Sequence, residues 1–126
     1  MKYTIDKKDK YCIFKLNEPK LDSTLAPTLK TELITLNAEG NKNIILDLSD
    51  VNYTDSSGLS SLLVGNRTFQ QEGGIFVLAC LSEHTMKLIK ISQLDGVLNI
   101  LPTIEEAVDA VFLHEVESDV KGEGGE

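Results

Sequence analysis

Apolar and polar positions alternate with two different periods along this chain, and the period switches several times. "KYTI" and "YCIFKL" are β-rich runs on either side of the polar stretch "DKKDK", which predicts an amino-terminal hairpin. In "LDSTLAPTLKTELITLNAEG" the period becomes helical. Leu25, Leu29, Leu33 and Leu36 fall on one face, and Gly40 supplies a stop. Pro27 lacks an N–H and is tolerated only in a first turn, so Thr24 is the expected N-cap, which leaves the Asp22 side chain free. "NIILDLSDV" carries a continuous apolar run, Ile44 to Leu46 with Leu48, as expected of a strand buried on both faces. "SGLSSLLVGNRTFQQEGG" then reads as a helix with Leu59, Leu62 and Leu63 inward and Gly73–Gly74 at its end.

"IFVLAC" predicts a second buried strand, and "SEHTMKLIKIS" a helix capped by Ser82 with Leu88 and Ile89 inward. "VLNIL" is a short last strand. "PTIEEAVDAVFLHEV" opens with a capping box, Thr103 to Glu106, ahead of an apolar stripe at Ile104, Val108, Val111 and Phe112. The predicted order is ββαβαβαβα. Strands alternating with helices imply an α/β domain with right-handed crossovers onto a mostly parallel sheet, made mixed by the antiparallel hairpin. Residues 1–117 are expected to form this single domain. Residues 118–126 ("SDVKGEGGE") are glycine-rich and acidic, and predict a disordered tail.

At the junction of the first buried strand and its helix lies "VNYTDSSGLSSLL", with four oxygen-bearing side chains in a row at Thr54, Asp55, Ser56 and Ser57. In open α/β sheets this end of the strands is where ligands and partners meet the fold. A helix N-terminus there offers free backbone N–H groups and the positive end of a dipole, a favourable place for a phosphoryl group. One residue suffices to cap a helix, and either Asp55 or Ser56 can do so, with Gly58 permitting close packing. The surplus hydroxyls leave room for one of them to be modified.

Composition narrows the chemistry. The 126 residues suit one domain, which at this size buries roughly two-thirds of the surface of its unfolded chain. The net charge of −8, with no basic cluster, speaks against nucleic acid and anionic membrane and in favour of a basic protein surface. Cys12 and Cys80 lie in apolar runs and read as buried, reduced thiols. No CxxC is present, the only histidines are His84 and His114, and no metal site or cofactor is expected. The amino terminus lacks an apolar leader and no run is long enough to span a bilayer, so a cytoplasmic location is expected. Catalysis finds no support. There is neither a GxSxG elbow nor a P-loop, both histidines fall at surface positions of helices, and Glu105–Glu106 suit a helix N-terminus without further purpose.

The segment "NIILDLSDVNYTDSSGLSSLLVGNRTFQQEGGIFVLAC" resembles the signature region of the STAS domain family, nearest its stand-alone bacterial anti-sigma factor antagonists. An apolar strand precedes D-S-S-G-L, a helix follows, and a Gly-Gly pair leads into the next strand. "LDSTLAPTLK" and "LIKISQLDGVLNIL" fall in the matching order. The resemblance implies a small mixed sheet flanked by helices and a regulator without catalytic activity. Carried over by position, Ser56 is the phosphoacceptor, with Asp22, Asp55, Ser57 and Gly58 at the partner-binding face. The implied partners are an anti-sigma factor with a histidine-kinase-like ATPase fold, which is also the kinase, and a PP2C-type phosphatase. The alternative within the same family is a docking subunit of a transport or lipid-trafficking complex, in which no phosphorylation occurs. One departure stands out: in "LNEPKLD", Pro19 occupies a position where family members often have glycine.

Overall fold

The computed structural model describes residues 1–124, with side chains through Val120. Strands β1 (Tyr3–Lys7) and β2 (Cys12–Leu16) form the expected hairpin, antiparallel, with Tyr3 opposite Leu16 and Lys7 opposite Cys12. Strands β4 (Ile44–Asp47), β6 (Phe76–Ala79) and β7 (Asn99–Leu101) add in parallel, giving a five-stranded sheet in the order β1-β2-β4-β6-β7. Helices α1 (Ala26–Ala38), α2 (Ser56–Gln71) and α3 (Glu83–Ile91) connect the parallel strands, and α4 (Ile104–Gly124) follows β7.

The parallel strands run across the sheet in chain order. Right-handed crossovers then place every connecting helix on the same face. The core divides accordingly. On one face Phe14, Leu16, Ile44, Leu46, Phe76 and Leu78 meet Leu29 and Leu33 of α1, Leu62 and Phe69 of α2 and Ile89 of α3. On the other, Ile45, Val77 and Ala79 meet Ala107 and Val111 of α4. This two-sided burial explains the unbroken apolar runs of β4 and β6, all of whose side chains but Asp47 are buried.

Four local expectations are corrected. Thr24 does not cap α1. The N-cap position is Leu25, without a side-chain bond, and Pro27 sits in the first turn. Two short strands, β3 (Lys20–Leu21) and β5 (Tyr53–Thr54), pair in parallel as a separate ribbon; two residues are too few to show a period. Phe112 lies outside the core, 47% exposed, because the inward positions of α4 are Ala107 and Val111, four residues apart, and Phe112 falls about 100° round the helix from Val111. Cys80 is half-buried just beyond β6, at φ 61°, while Cys12 is buried within β2 as expected. Burial raises both thiol pKa values above the ordinary cysteine range.

The carboxyl end also differs. α4 continues through Gly124, past the boundary at Ser118 where disorder is expected; residues 125–126 lie outside the described residues. Once a helix exists, each added residue gains one backbone bond for one ordered residue, so propagation needs no tertiary contact. Val116 and Val120 are 58% and 61% exposed and belong to neither core cluster. Among the described residues no helix is long and apolar enough to cross a membrane.

Candidate functional site

The end of β4 leads through Leu48 and the buried Val51 into β5 and then α2. Here the ribbon β3–β5 does its work. The Pro19 carbonyl accepts from the N–H groups of Asn52 (2.8 Å) and Tyr53 (3.3 Å), and the Leu21 carbonyl accepts from Asp55 N–H at 3.2 Å. Two loops distant in sequence, 19–25 and 52–58, are thereby fastened side by side. A proline at 19 serves this arrangement, since its carbonyl carries the bonds and no N–H is asked of it.

Asp55 is the N-cap of α2. Its backbone is extended (φ −103°, ψ −174°), and its Oδ1 accepts from Gly58 N–H at 2.9 Å. Its Oδ2 accepts from Ser23 N–H at 3.3 Å, so one carboxylate caps the helix and holds the neighbouring loop. Asp22 is not free. Its Oδ1 accepts from the Thr24 hydroxyl and from Thr24 N–H (3.0 Å), closing a local turn. These bonds favour the carboxylate and hold its pKa below the usual aspartate range, the hydroxyl bond contributing most.

Gly58 is buried against the opposite loop. A Cβ there would lie 2.2 Å from the Leu21 carbonyl oxygen and 2.9 Å from both Leu21 Cγ and Thr54 Cγ2. Any side chain would push the two loops apart. Gly58 thus shapes the face without being able to touch a partner, and Asp55 is engaged from within.

With Asp55 as cap, both serines are spared that task. Ser56 is the first helical residue, exposed, and its hydroxyl makes no hydrogen bond among the described residues. Ser57, half-buried, is a first-turn residue. The N–H groups of both point out of the helix start, where intrahelical partners are lacking. Placement therefore separates Ser56 from its neighbours: Thr54 is buried (1% exposed), its hydroxyl 2.9 Å from that of Thr85, also buried.

The start of α3 completes the face. Ser82 caps it, accepting from Thr85 N–H at 3.2 Å. His84 Nδ1 accepts from Thr54 N–H at 3.4 Å, and the imidazole packs on the Tyr53 ring, centroids 4.9 Å apart and planes inclined by 31°. Sequence reasoning passes over Tyr53 and His84. Their one legible trace is alternation in "NYT", which turns Thr54 inward and Tyr53 outward. Leu21 and Pro19 act through carbonyls, for which no side-chain pattern exists. Among the described residues no cluster of three or more His, Cys, Asp or Glu side chains could hold a metal.

The arrangement can present a hydroxyl at a helix N-terminus and accept a dianion upon it. Comparison with known proteins agrees with the sequence resemblance. The STAS domain model matches residues 2–107. BtrV of Bordetella bronchiseptica, provisionally designated an anti-sigma factor antagonist, is 33% identical over 114 residues, covering 89% of this chain and 95% of BtrV. The anti-sigma-B factor antagonist of Bacillus subtilis is 32% identical over 89 residues, 71% of this chain and 81% of that protein. Among solved structures, a Thermotoga maritima protein with the same provisional designation as BtrV superposes with a TM-score of 0.76 at 28% identity, over 86% of this chain and 93% of that one. The single α/β domain, its five-stranded mixed sheet and the D-S-S-G-L helix start belong together, and this chain is a member of the STAS domain family.

Proposed function

We propose that this protein is an anti-sigma factor antagonist controlled by reversible phosphorylation of Ser56. Unphosphorylated, it binds an anti-sigma factor through the face formed by loops 19–25 and 52–58 and frees the sigma factor. The anti-sigma factor, with a histidine-kinase-like ATPase fold, transfers the γ-phosphoryl group of ATP to the Ser56 oxygen. The hydroxyl proton is lost, ADP leaves, and the complex separates. A PP2C-type phosphatase hydrolyses the ester and restores the binding form.

One observation carries the reading. Ser56 is an exposed hydroxyl, unbonded among the described residues, on the first residue of a sixteen-residue helix whose capping is already done by Asp55. The names of the relatives support the coarser part of the reading, an anti-sigma factor antagonist. Phosphate adds about −1.5 to −2 charges, tolerated at a helix N-terminus but not beneath a docked partner. Asp55 and Asp22 add like charge nearby, so the change falls on the surface and the fold stays as it is.

The test is capture of the partner on immobilised protein, followed by incubation with ATP and peptide mapping. Phosphate on Ser56 is expected, and Ser56→Ala should remain bound without release. Phosphate on Ser57 or Thr54 would refute the residue assignment. Recovery of a complex in which ATP modifies nothing, with Ser56→Asp binding as tightly as wild type, would leave the passive docking subunit in its place.

A further inference from the structure

We propose that Tyr53 and His84 form a preorganised aromatic platform by which the unphosphorylated protein grips the anti-sigma factor kinase, a proposal that rests on the reading of Ser56 given above. A seryl hydroxyl offers very little contact area. Binding energy at protein interfaces concentrates in a few large side chains, tyrosine prominent among them. Tyr53 is 43% exposed, and it is the one large apolar side chain so exposed in the loops and helix starts that build this face. Ile5, Ile34, Ile91, Val97, Phe112 and the exposed residues of α4 all lie on other segments.

The ring is held in place before any partner arrives. Its backbone is pinned to the Pro19 carbonyl, and its face lies on the His84 imidazole. That imidazole is fixed in turn by Thr54 N–H and by its place in the first turn of α3. The buried Thr54–Thr85 hydroxyl pair locks β5 to α3 beneath both rings. A side chain with few conformations left to lose gives more of its contact energy to binding.

The platform also explains how one small group could eject a large partner. Tyr53 precedes Ser56 by three residues, so their Cα atoms are within about 10 Å of each other. That is on the order of the Debye length at physiological salt, so a phosphate on Ser56 acts on whatever covers the tyrosine. The surrounding carboxylates define the partner. Asp55 follows Tyr53 by two residues, Glu83 directly precedes His84, and Asp22 follows strand β3, whose Lys20 is paired with Tyr53 in the ribbon. The complementary surface is one that lays an aliphatic or guanidinium side chain on the tyrosine face and sets basic groups toward these acids. A second copy of this chain would bring the same carboxylates against one another.

The experiment uses the kinase recovered by capture, produced as recombinant protein, with affinity measured by titration calorimetry. Tyr53→Ala should weaken binding at least ~30-fold, the lower bound for a hot-spot side chain. Tyr53→Phe keeps the ring and should stay near wild type. His84→Ala should fall between the two. In the phosphorylation reaction Tyr53→Ala should raise KM and leave kcat unchanged, a split that a general loss of structure would not give. Ser56→Asp is measured alongside. If Ser56→Asp loses affinity while Tyr53→Ala does not, the platform is refuted and the Ser56 reading stands. If Ser56→Asp binds as wild type, the Ser56 reading itself fails. Should Tyr53→Ala melt well below wild type, His84→Ala decides: unchanged affinity there overturns the proposal. A loss of self-association in place of kinase binding, seen by light scattering, would overturn it too.

Discussion

Gly58→Ala should destabilise this protein although alanine is the better helix former. At an ordinary exposed helical site the change gains about 1 kcal/mol. Here the new Cβ would sit 2.2 Å from the Leu21 carbonyl oxygen, with Leu21 Cγ and Thr54 Cγ2 both at 2.9 Å. The closest obstacle is backbone, and the others close off the neighbouring directions. Relief requires moving the 19–25 loop by about 1 Å, which strains the Asp55 N–H bond to Leu21 and the Ser23 bond to Asp55. Overpacking of this kind costs about 1–3 kcal/mol, and losing one hydrogen bond a further ~1 kcal/mol. Set against the propensity gain, the net loss is about 1–3 kcal/mol, or roughly 4–12 °C in Tm for a domain of this size. Thermal unfolding followed by circular dichroism measures it. Gly96→Ala is the control, since nothing lies within 4 Å of its Cβ and its φ is not positive; it should be neutral or raise Tm slightly. If Gly58→Ala melts at or above wild type, the two loops are not fastened through this contact and the account of the site's rigidity is wrong.

Three further outcomes are expected. The Asp22 pKa is held below its unfolded value, so its contribution to stability is complete above about pH 4 and is lost as pH falls through the lower folded value. Asp22→Asn should flatten that acid limb of a pH–stability curve, and an unchanged limb would contradict the hydrogen bonding described. Thiol titration in denaturant without reductant should find both Cys12 and Cys80 free; in the native state the half-buried Cys80 should react before Cys12, and the reverse order would contradict their burial. A chain ending at Glu117 should melt within about 2 °C of full length, because Val120 makes no core contact and surface changes stay small; a larger drop would mean that the end of α4 packs on the domain.

How far the sequence could be read depended on how many residues each feature spans. Long periodic segments were legible: the leucine series of α1, the apolar runs of β4 and β6, and the hairpin all stand where the pattern puts them. So was the cluster at Asp55 to Gly58, because caps and glycines have positional chemistry. What escaped was carried by backbone carbonyls or by very short elements. The Pro19 and Leu21 carbonyls pin the two loops, yet any residue has a carbonyl. The ribbon β3–β5 has two residues per strand. Thr24 looked like a cap because Pro27 limits where the helix can begin, but Asp22 claims its hydroxyl first. His84 looked like a plain surface residue, and its partner Tyr53 lies 31 positions earlier.

The affinity of the recombinant anti-sigma factor for this protein before and after stoichiometric phosphorylation tests the central claim most directly. Calorimetry on mass-verified forms should give a loss of at least ~100-fold on phosphorylation at Ser56, equivalent to about 3 kcal/mol. The two forms should melt within about 2 °C of each other, since charge at a helix N-terminus is tolerated. Equal affinities for the two forms would contradict the account, and so would a phosphorylated form that loses binding only because it has unfolded.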